Sequence, residues 1–221
     1  MPQSETVWSI VVAAGSGLRF GGAKQFTRIG ARRVVDWAVE EAERHSLGVV
    51  VVVPPGHAGE VNTARTVFVE GGTTRSESVR RGLAAVPADA TIICVHDAAR
   101  PFAPETVWHR VVGAVVDGAD GAVPGVPVTD TIKEVNESNV VVSTPRRETL
   151  RAVQTPQAFR AESLRRAHAS DGEGTDDAAL VEKIGGEVVV VEGDAVNRKI
   201  TTPDDLEWAA VHAERMVRGE V

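Results

Sequence analysis

Apolar β-branched runs and helical spacings alternate along this 221-residue chain. Val7 to Ala14 (VWSIVVAA) predicts a buried strand. Val34 to Arg44 (VVDWAVEEAER) repeats its apolar positions at helical spacing. Gly48 to Val53 is a glycine followed by five valines, the pattern of a strand buried on both faces. Val67 to Val69 predicts a short strand, Ser76 to Val86 a helix and Thr91 to Val95 another strand. Glu105 to Val116 again has helical spacing, and Gly121 to Val126 predicts a further strand. Continuous apolar strands that alternate with helices indicate a mostly parallel sheet covered on both sides. Its crossovers are expected to be right-handed.

The rhythm breaks after Pro127. Val128 to Gln157 is polar and rich in threonine and arginine, with Val140 to Val142 in its middle and a turn predicted at Asn136 to Asn139. This reads as an extended β-arm, of the kind that pairs with a second copy in a homodimer. The regular pattern then resumes. Thr175 is expected to cap a helix whose first turn holds Asp176 and Asp177. Glu187 to Glu192 predicts a strand. Thr202-Pro203-Asp204-Asp205 opens the last helix with a capping hydroxyl, an N1 proline and first-turn acids. With no internal repeat, low-complexity tract or linker, residues 1–221 read as a single α/β domain with the arm at about 128–157.

Composition narrows the function. Apolar residues make up 43% of the chain, enough for a full core, and charged residues 25%, ordinary for a globular domain. The net charge of −7 argues against a general nucleic-acid binder. No apolar stretch approaches a membrane span. The N-terminal MPQSETVW lacks the basic stretch and apolar core of a secretory signal. The single cysteine, Cys94, rules out an intramolecular disulfide and suits a reducing, cytoplasmic setting. It lies in an apolar strand and reads as a small buried hydrophobe. Arginine is used almost throughout. The only lysines are Lys24, Lys133, Lys183 and Lys199, so each invites the question of whether a compact point charge is needed there.

The first strand is followed by Ala13-Ala14-Gly15-Ser16-Gly17-Leu18-Arg19-Phe20-Gly21-Gly22-Ala23-Lys24-Gln25. Ligands of parallel sheets gather at the carboxyl edge of the strands. Glycines there let the backbone approach a ligand and turn its N–H groups inward as an anion nest. Arg19 and Lys24 add positive charge at the same edge. The dinucleotide fingerprint fails because position 20 is Phe20, and the P-loop fails because Gly22 is followed by Ala23, Lys24 and Gln25.

Three other segments carry chemistry. Gly71-Gly72-Thr73-Thr74-Arg75-Ser76-Glu77-Ser78 can line a base or ribose pocket, or serve as a plain helix start capped by Ser76. Val95-His96-Asp97-Ala98-Ala99-Arg100-Pro101 ends a buried strand. Asp97 there suits Mg²⁺, which takes one or two carboxylates with substrate phosphates. Arg100 can pair with Asp97 or grip a phosphate. His96 reads as structural. Asn197-Arg198-Lys199-Ile200-Thr201 precedes the last helix, and Lys199 is either a surface charge or a third cation at the phosphate edge.

Taken in order, AAGSGLRF, AKQF, GGTTRSESV, VHDAARPF, TDTIK, AVQTPQAF, GTDDAALVE and NRKITTPDDL resemble the 2-C-methyl-D-erythritol 4-phosphate cytidylyltransferase family of the non-mevalonate isoprenoid pathway. The resemblance covers nearly the whole chain. It implies a Rossmann-like, three-layer nucleotidyltransferase fold, a homodimer built through the arm, CTP as co-substrate and a divalent cation such as Mg²⁺. By matching motifs it gives Arg19, Lys24 and Lys199 to the reacting phosphates. It gives Ala13, Ala14, Gly15, Gly17, Gly72 and Ser78 to the cytidine and phosphate pocket, and Asp97 to the metal. Arg100, Thr131, Arg147 and Thr175 would grip methylerythritol phosphate, Arg147 reaching across from the other subunit. The chain departs from the family pattern at Val12 and Ala23, where relatives often carry proline, and at Val196, where some carry an acid.

The implied reaction agrees with the residues. The substrate's phosphate monoester is already a nucleophile, so no activated serine or cysteine is required. Repulsion between two anions is the obstacle, and cations with nest amides answer it. The rival readings are ribitol-5-phosphate cytidylyltransferase, a sugar-1-phosphate nucleotidyltransferase using another NTP, and a non-catalytic nucleotide-sensing module. The AAGSG opening favours methylerythritol phosphate over the first.

Overall fold

The computed structural model describes residues 5–15, 24–57, 65–169 and 172–220. Strands β1 (Val7–Val12), β4 (Gly48–Val53), β5 (Thr66–Glu70), β6 (Ile92–Asp97), β7 (Gly121–Pro127), β10 (Arg151–Val153), β11 (Gln157–Arg160) and β12 (Val188–Glu192) build one eight-stranded sheet. Two short hairpins stand outside it: β2 (Arg28–Ile29) with β3 (Arg32–Arg33), and β8 (Glu134–Val135) with β9 (Val141–Ser143). The main helices are α1 (Val34–Arg44), α2 (Arg75–Ala85), α3 (Glu105–Val116), α4 (Ala161–Ala167), α5 (Asp177–Lys183) and α6 (Pro203–Val217).

The sheet order is β10-β7-β11-β6-β1-β4-β5, with β12 also pairing β7. Both β11 and β12 pair Gly121, so they lie on opposite edges of β7. β10 pairs farther along, at Gly125 to Pro127, opposite β12's contact with Gly125. β10 and β11 therefore share one edge of β7 end to end, joined through Gln154-Thr155-Pro156, whose Thr155–Pro156 bond is cis. Both run antiparallel to β7, while the contacts among β1, β4, β5 and β6, and between β7 and β12, are parallel.

The valine strand explains the layering. Successive side chains point to opposite faces. Val49, Val51 and Val53 pack with α1 and α3 through Val35, Val39, Trp108 and Val111. Val50 and Val52 pack on the other face with Val79, Leu83, Leu164 and Leu180, from α2, α4 and α5. All six residues of β4 are buried, and each buried valine stabilises by about 1.5 kcal/mol or more. The expected three-layer α/β fold with a mostly parallel sheet is what forms. A third cluster of Ile29, Val34, Phe102, Ile200, Ala209 and Ala213 seats α6 beside the sheet.

The arm forms as an exposed hairpin. Asn139 takes the left-handed conformation (φ 58°), and Asn136 Oδ1 accepts from the Ser138 and Val140 amides to close the predicted turn. The arm is shorter than 128–157, however. Gln154, Thr155 and Gln157 are buried, and Arg151–Val153 and Gln157–Arg160 are strands of the main sheet. These polar residues read as arm because their burial is compensated by hydrogen bonds that only tertiary structure supplies. Helix α4 and strands β2, β3, β10 and β11 had no periodic signal of sufficient length.

Helix α5 corrects a capping expectation. Its N-cap is Asp176, whose extended backbone lets Oδ1 accept from Ala179 N at 3.0 Å, while Thr175 is exposed one residue earlier. A carboxylate is as good a cap as a hydroxyl, and here its other oxygen also takes Gln157 Nε2 at 2.8 Å. The start of α6 matches expectation. Thr202 and Asp205 form a reciprocal capping box with Pro203 at the first position.

Candidate active site

The carboxyl edge of β1 and β6 brings together Ala13, Asp97, Lys24 and Lys199 among the predicted residues. Val12 and Asp97 are register partners at the ends of these strands, and Ala98 N donates to Val12 O (3.0 Å). The segment leaving β1 is tied down at once. Ala13 N donates to Val52 O (2.8 Å), and Gln25 Nε2 donates to Ala13 O (2.7 Å) and Gly15 O (3.0 Å). Gly17 and Arg19 lie outside the described residues.

Ala14 faces the start of α2. A Cβ on Gly71 would stand 2.3 Å from Ala14 Cβ and 2.9 Å from Ser78 Oγ. Only a glycine allows this approach. Ser78 Oγ accepts from Gly72 N (3.1 Å) and donates to Thr74 O (2.9 Å). Ala14, Gly72 and Ser78, predicted from separate motifs, thus share one wall. Ser76, read as a possible cap, is buried inside the helix, and the cap is Thr74, which accepts from Glu77 N.

Asp97 is the electrostatic centre. Its side chain is 15% exposed, with Oδ2 at 2.5 Å from Lys199 Nζ and Oδ1 at 3.6 Å from Arg75 Nε. Burial alone would raise its pKa. Lys199 and Arg75 outweigh burial and hold the carboxyl well below its ordinary value. Lys24 joins the same corner, donating to Ile200 O at 2.6 Å, one residue from Lys199.

Three buried polar residues, His96, Thr155 and Asn197, fix this corner. Thr155 Oγ1 accepts from Asp97 N (3.0 Å), so its proton goes to His96 Nδ1 (3.1 Å), and His96 Nε2 donates to Arg100 O (3.0 Å). Burial drives the His96 pKa down to about 4, which agrees with a neutral, structural imidazole. Asn197, fully buried, donates from Nδ2 to Thr155 O (2.9 Å). Ile200 N donates to Ala99 O (2.8 Å). Residues 197–200 are thereby laid against the Asp97–Arg100 turn, and Lys199 reaches Asp97.

Arg100 donates to two backbone carbonyls and lies within the field of Asp97. Its Nη1 meets Asn197 O (2.6 Å) and its Nη2 meets Val153 O (3.4 Å). Thr131 and Arg147 lie on the exposed arm, with Arg147 Nη1 donating to Thr129 O (3.0 Å). Within one chain these contacts stay inside the arm. Thr175 is exposed beside Asp176.

Sequence reasoning missed four participants: Gln25, Arg75, Gln154 and Asn197. Arg75 bridges Asp97 and Asp177, with Nη2 at 2.8 Å from Asp177 Oδ2. Burial would lower its pKa, but the two aspartates raise it above the usual arginine value. Gln154 Nε2 donates to Asp194 O (2.7 Å), and its Oε1 accepts from Asp194 N (3.1 Å). All four lie within motifs quoted from the sequence, but their side-chain partners are 10 (Gln25 to Gly15) to 102 (Arg75 to Asp177) positions distant, which motifs do not encode.

Lys199, Arg75 and Arg100 act on Asp97, and Lys24 stands beside Lys199 at Ile200, so four cations gather at one corner, an arrangement suited to a polyanion. Among the described residues no group of three or more His, Cys, Asp or Glu could hold a metal. Asp194, the nearest acid to the Val196 departure, uses Oδ1 to accept from Val196 N (2.8 Å). A single strand-end carboxylate nevertheless fits an ion that takes most of its ligands from phosphates. Among the described residues, no helix is long and apolar enough to cross a membrane.

The comparisons with known proteins converge on one family. The family model for IspD, 2-C-methyl-D-erythritol 4-phosphate cytidylyltransferase, matches residues 7–215. The chain is 42% identical to the 2-C-methyl-D-erythritol 4-phosphate cytidylyltransferase of Nocardia farcinica, covering 95% of each. It is 46% identical to the bifunctional enzyme IspD/IspF of Nitrobacter winogradskyi, where it spans about half of the relative's length (55%). The crystal structure of 2-C-methyl-D-erythritol 4-phosphate cytidylyltransferase from Thermus thermophilus superposes with a TM-score of 0.80 at 38% identity, covering 96% of this chain and 100% of that one. Fold and relatives agree, and the chain belongs to the 2-C-methyl-D-erythritol 4-phosphate cytidylyltransferase family.

Proposed function

We propose that the chain transfers CMP from CTP to 2-C-methyl-D-erythritol 4-phosphate, giving 4-diphosphocytidyl-2-C-methyl-D-erythritol and pyrophosphate. The observation that carries this reading is the Asp97 carboxylate held between Lys199 and Arg75, with Lys24 bound to the carbonyl of Ile200, the residue after Lys199.

A phosphate oxygen of the acceptor attacks the α-phosphorus of CTP, and the bond from that phosphorus to the bridging oxygen of pyrophosphate breaks. No proton need be removed from the nucleophile. Lys24, Lys199 and Arg19 neutralise charge where the two anions meet, which is where a preorganised site lowers the barrier most. Ala13, Ala14, Gly15 and Gly17 offer backbone groups to the triphosphate and base. Gly72 and Ser78 hold the cytosine side of the pocket, with the Ser78 hydroxyl exchanging its contact to Gly72 N for the base. Arg100 and Thr175 orient the acceptor. Holding both reactants in line supplies much of the remaining acceleration. Asp97 would hold a divalent cation such as Mg²⁺, which when bound draws charge from the triphosphate.

The arm supports a homodimer. Val135, Val140, Val141 and Val142 are each about half exposed on it, and Thr131 and Arg147 make no contact with their own site that would use them otherwise. In a dimer they would complete the partner's acceptor pocket. The single buried Cys94 fits a cytoplasmic setting. Purified protein is expected to release pyrophosphate from CTP only when methylerythritol phosphate and Mg²⁺ are both present. Release that is equally fast with ribitol 5-phosphate, or CTP binding with no release at all, would overturn the proposal.

A further inference from the structure

Behind Asp97 runs a row of linked polar side chains: Arg75, Asp177 and His168. Arg75, the first residue of α2, reaches Asp97 Oδ1 at 3.6 Å and Asp177 Oδ2 at 2.8 Å. Asp177 is fully buried, and its Oδ1 accepts from His168 Nε2 at 3.0 Å. His168 is itself buried at the end of α4, with Nδ1 lacking a partner. Three separate elements are thereby tied to the site carboxylate.

The placement of Arg75 is against local preference. A cation in the first turn of a helix opposes the helix dipole. Its guanidinium is also largely withdrawn from water, at 29% exposure. Only carboxylates on both sides make that position favourable, and the two contacts are unequal. The close one is to Asp177, and the longer one is to Asp97. Were Asp177 absent, the rigid fork would keep Asp97 as its direct ion-pair partner, with Asp176 farther off, and would close on Asp97. Asp97 would then be locked away from its other partners.

We propose that Arg75 is a positioning residue of the transfer reaction: Asp177, fixed by His168, holds the guanidinium so that it orients Asp97 without closing on it. This rests on Asp97 belonging to the reacting site. Because Arg75 also begins the helix that carries Ser78, the row ties the base wall to the phosphate corner. Asp177 and His168 touch no reactant in this scheme and act only through Arg75.

The test is steady-state kinetics on the full-length chain, with pyrophosphate release as readout and urea unfolding as a check on folding. Asp177→Asn, which keeps shape and removes charge, is expected to lower kcat about 10-fold or more, as small misplacements do at reacting centres. The KM for CTP should change far less. In an Arg75→Gln background, Asp177→Asn should cost nothing further, because the two act as one unit. His168→Gln, which can still donate to Asp177, should keep kcat, while His168→Leu should lose it as Asp177→Asn does. If Asp177→Asn does not fold, Arg75→Lys replaces it. Lysine keeps the charge and loses the fork, and the same fall in kcat is expected. Unchanged kcat in the folded charge-removing variant, losses that multiply in the Arg75→Gln background, or equal losses in both His168 variants would overturn the proposal. Wild-type protein that releases no pyrophosphate sinks the transfer reading itself. Wild-type turnover with indifferent variants sinks only this inference.

Discussion

Lys199 Nζ meets Asp97 Oδ2 at 2.5 Å across 102 positions of sequence. The contact joins the segment before the last helix to the end of a central strand. It lies at the surface end of the site, with Lys199 40% exposed. The Lys199 end of the pair is open to water, which screens its contribution to stability to about 1 kcal/mol, whereas a cation beside reacting phosphates acts on the barrier directly.

The two effects separate in Lys199→Ala. Turnover is expected to fall by about 10²-fold or more, as on loss of a key charge stabiliser. Urea unfolding is expected to shift by less than about 1 kcal/mol. Lys24→Ala and Arg19→Ala should lower turnover to a similar degree. A folded Lys199→Ala protein with wild-type turnover would remove Lys199 from the site.

Glycine 71 sets the spacing of the base wall. In Gly71→Ala the new methyl would stand 2.3 Å from Ala14 Cβ, and neither backbone can yield easily. The variant should lose about 1–3 kcal/mol of stability from overpacking and show a raised KM for CTP. Gly72→Ala should cost a similar amount, because its methyl would stand 2.5 Å from Glu77 Cβ, which the backbone of α2 fixes, so rotating the carboxylate outward does not relieve the clash. Equal KM values for both variants and wild type would show that CTP does not use this wall.

Asp205 links the last helix to the site and gives a pH signature. It accepts from Thr201 N and Thr202 N (both 2.8 Å) and pairs with Arg198 at 2.6 Å. Burial would raise its pKa, but the hydrogen bonds from Thr201 and Thr202 outweigh it and hold the carboxyl low. The folded value is below the unfolded one, so this stabilisation is complete above about pH 4 and is lost as pH falls further. Asp205→Ala should cost about 1–2 kcal/mol at pH 7, the worth of a cap. The difference from wild type should shrink as unfolding is measured at progressively lower pH below 4. A gap that stays constant there would place the effect in packing, not charge.

Arg147 can be tested by mixing. Lys24→Ala and Arg147→Ala are each expected to be nearly inactive as pure proteins. If Arg147 serves the partner's site, random re-pairing leaves one intact site in each mixed dimer. Unfolding and refolding the two together should then recover about a quarter of wild-type turnover, by the arithmetic of a symmetric two-fold pair. No recovery, with dimers present, would return Arg147 to its own chain.

Much of this was legible in the chain itself. Gly48 to Val53 announces a doubly covered strand, because only a sheet with helices on both faces buries five consecutive valines. Thr202-Pro203-Asp204-Asp205 announces a helix start, because every group involved is local. Lys24, Asp97 and Lys199 stood out through scarcity, strand-end position and motif. What tertiary structure alone decided was partnership. Nothing near Arg75 in sequence says that its fork will reach Asp177, and nothing near Gln154 says that burial will turn the foot of the arm into a sheet strand. Local propensity and periodicity are written in neighbouring residues. The pairing of buried charges and amides depends on which distant segments the packed core brings within 3 Å, and that distance is set by the whole fold.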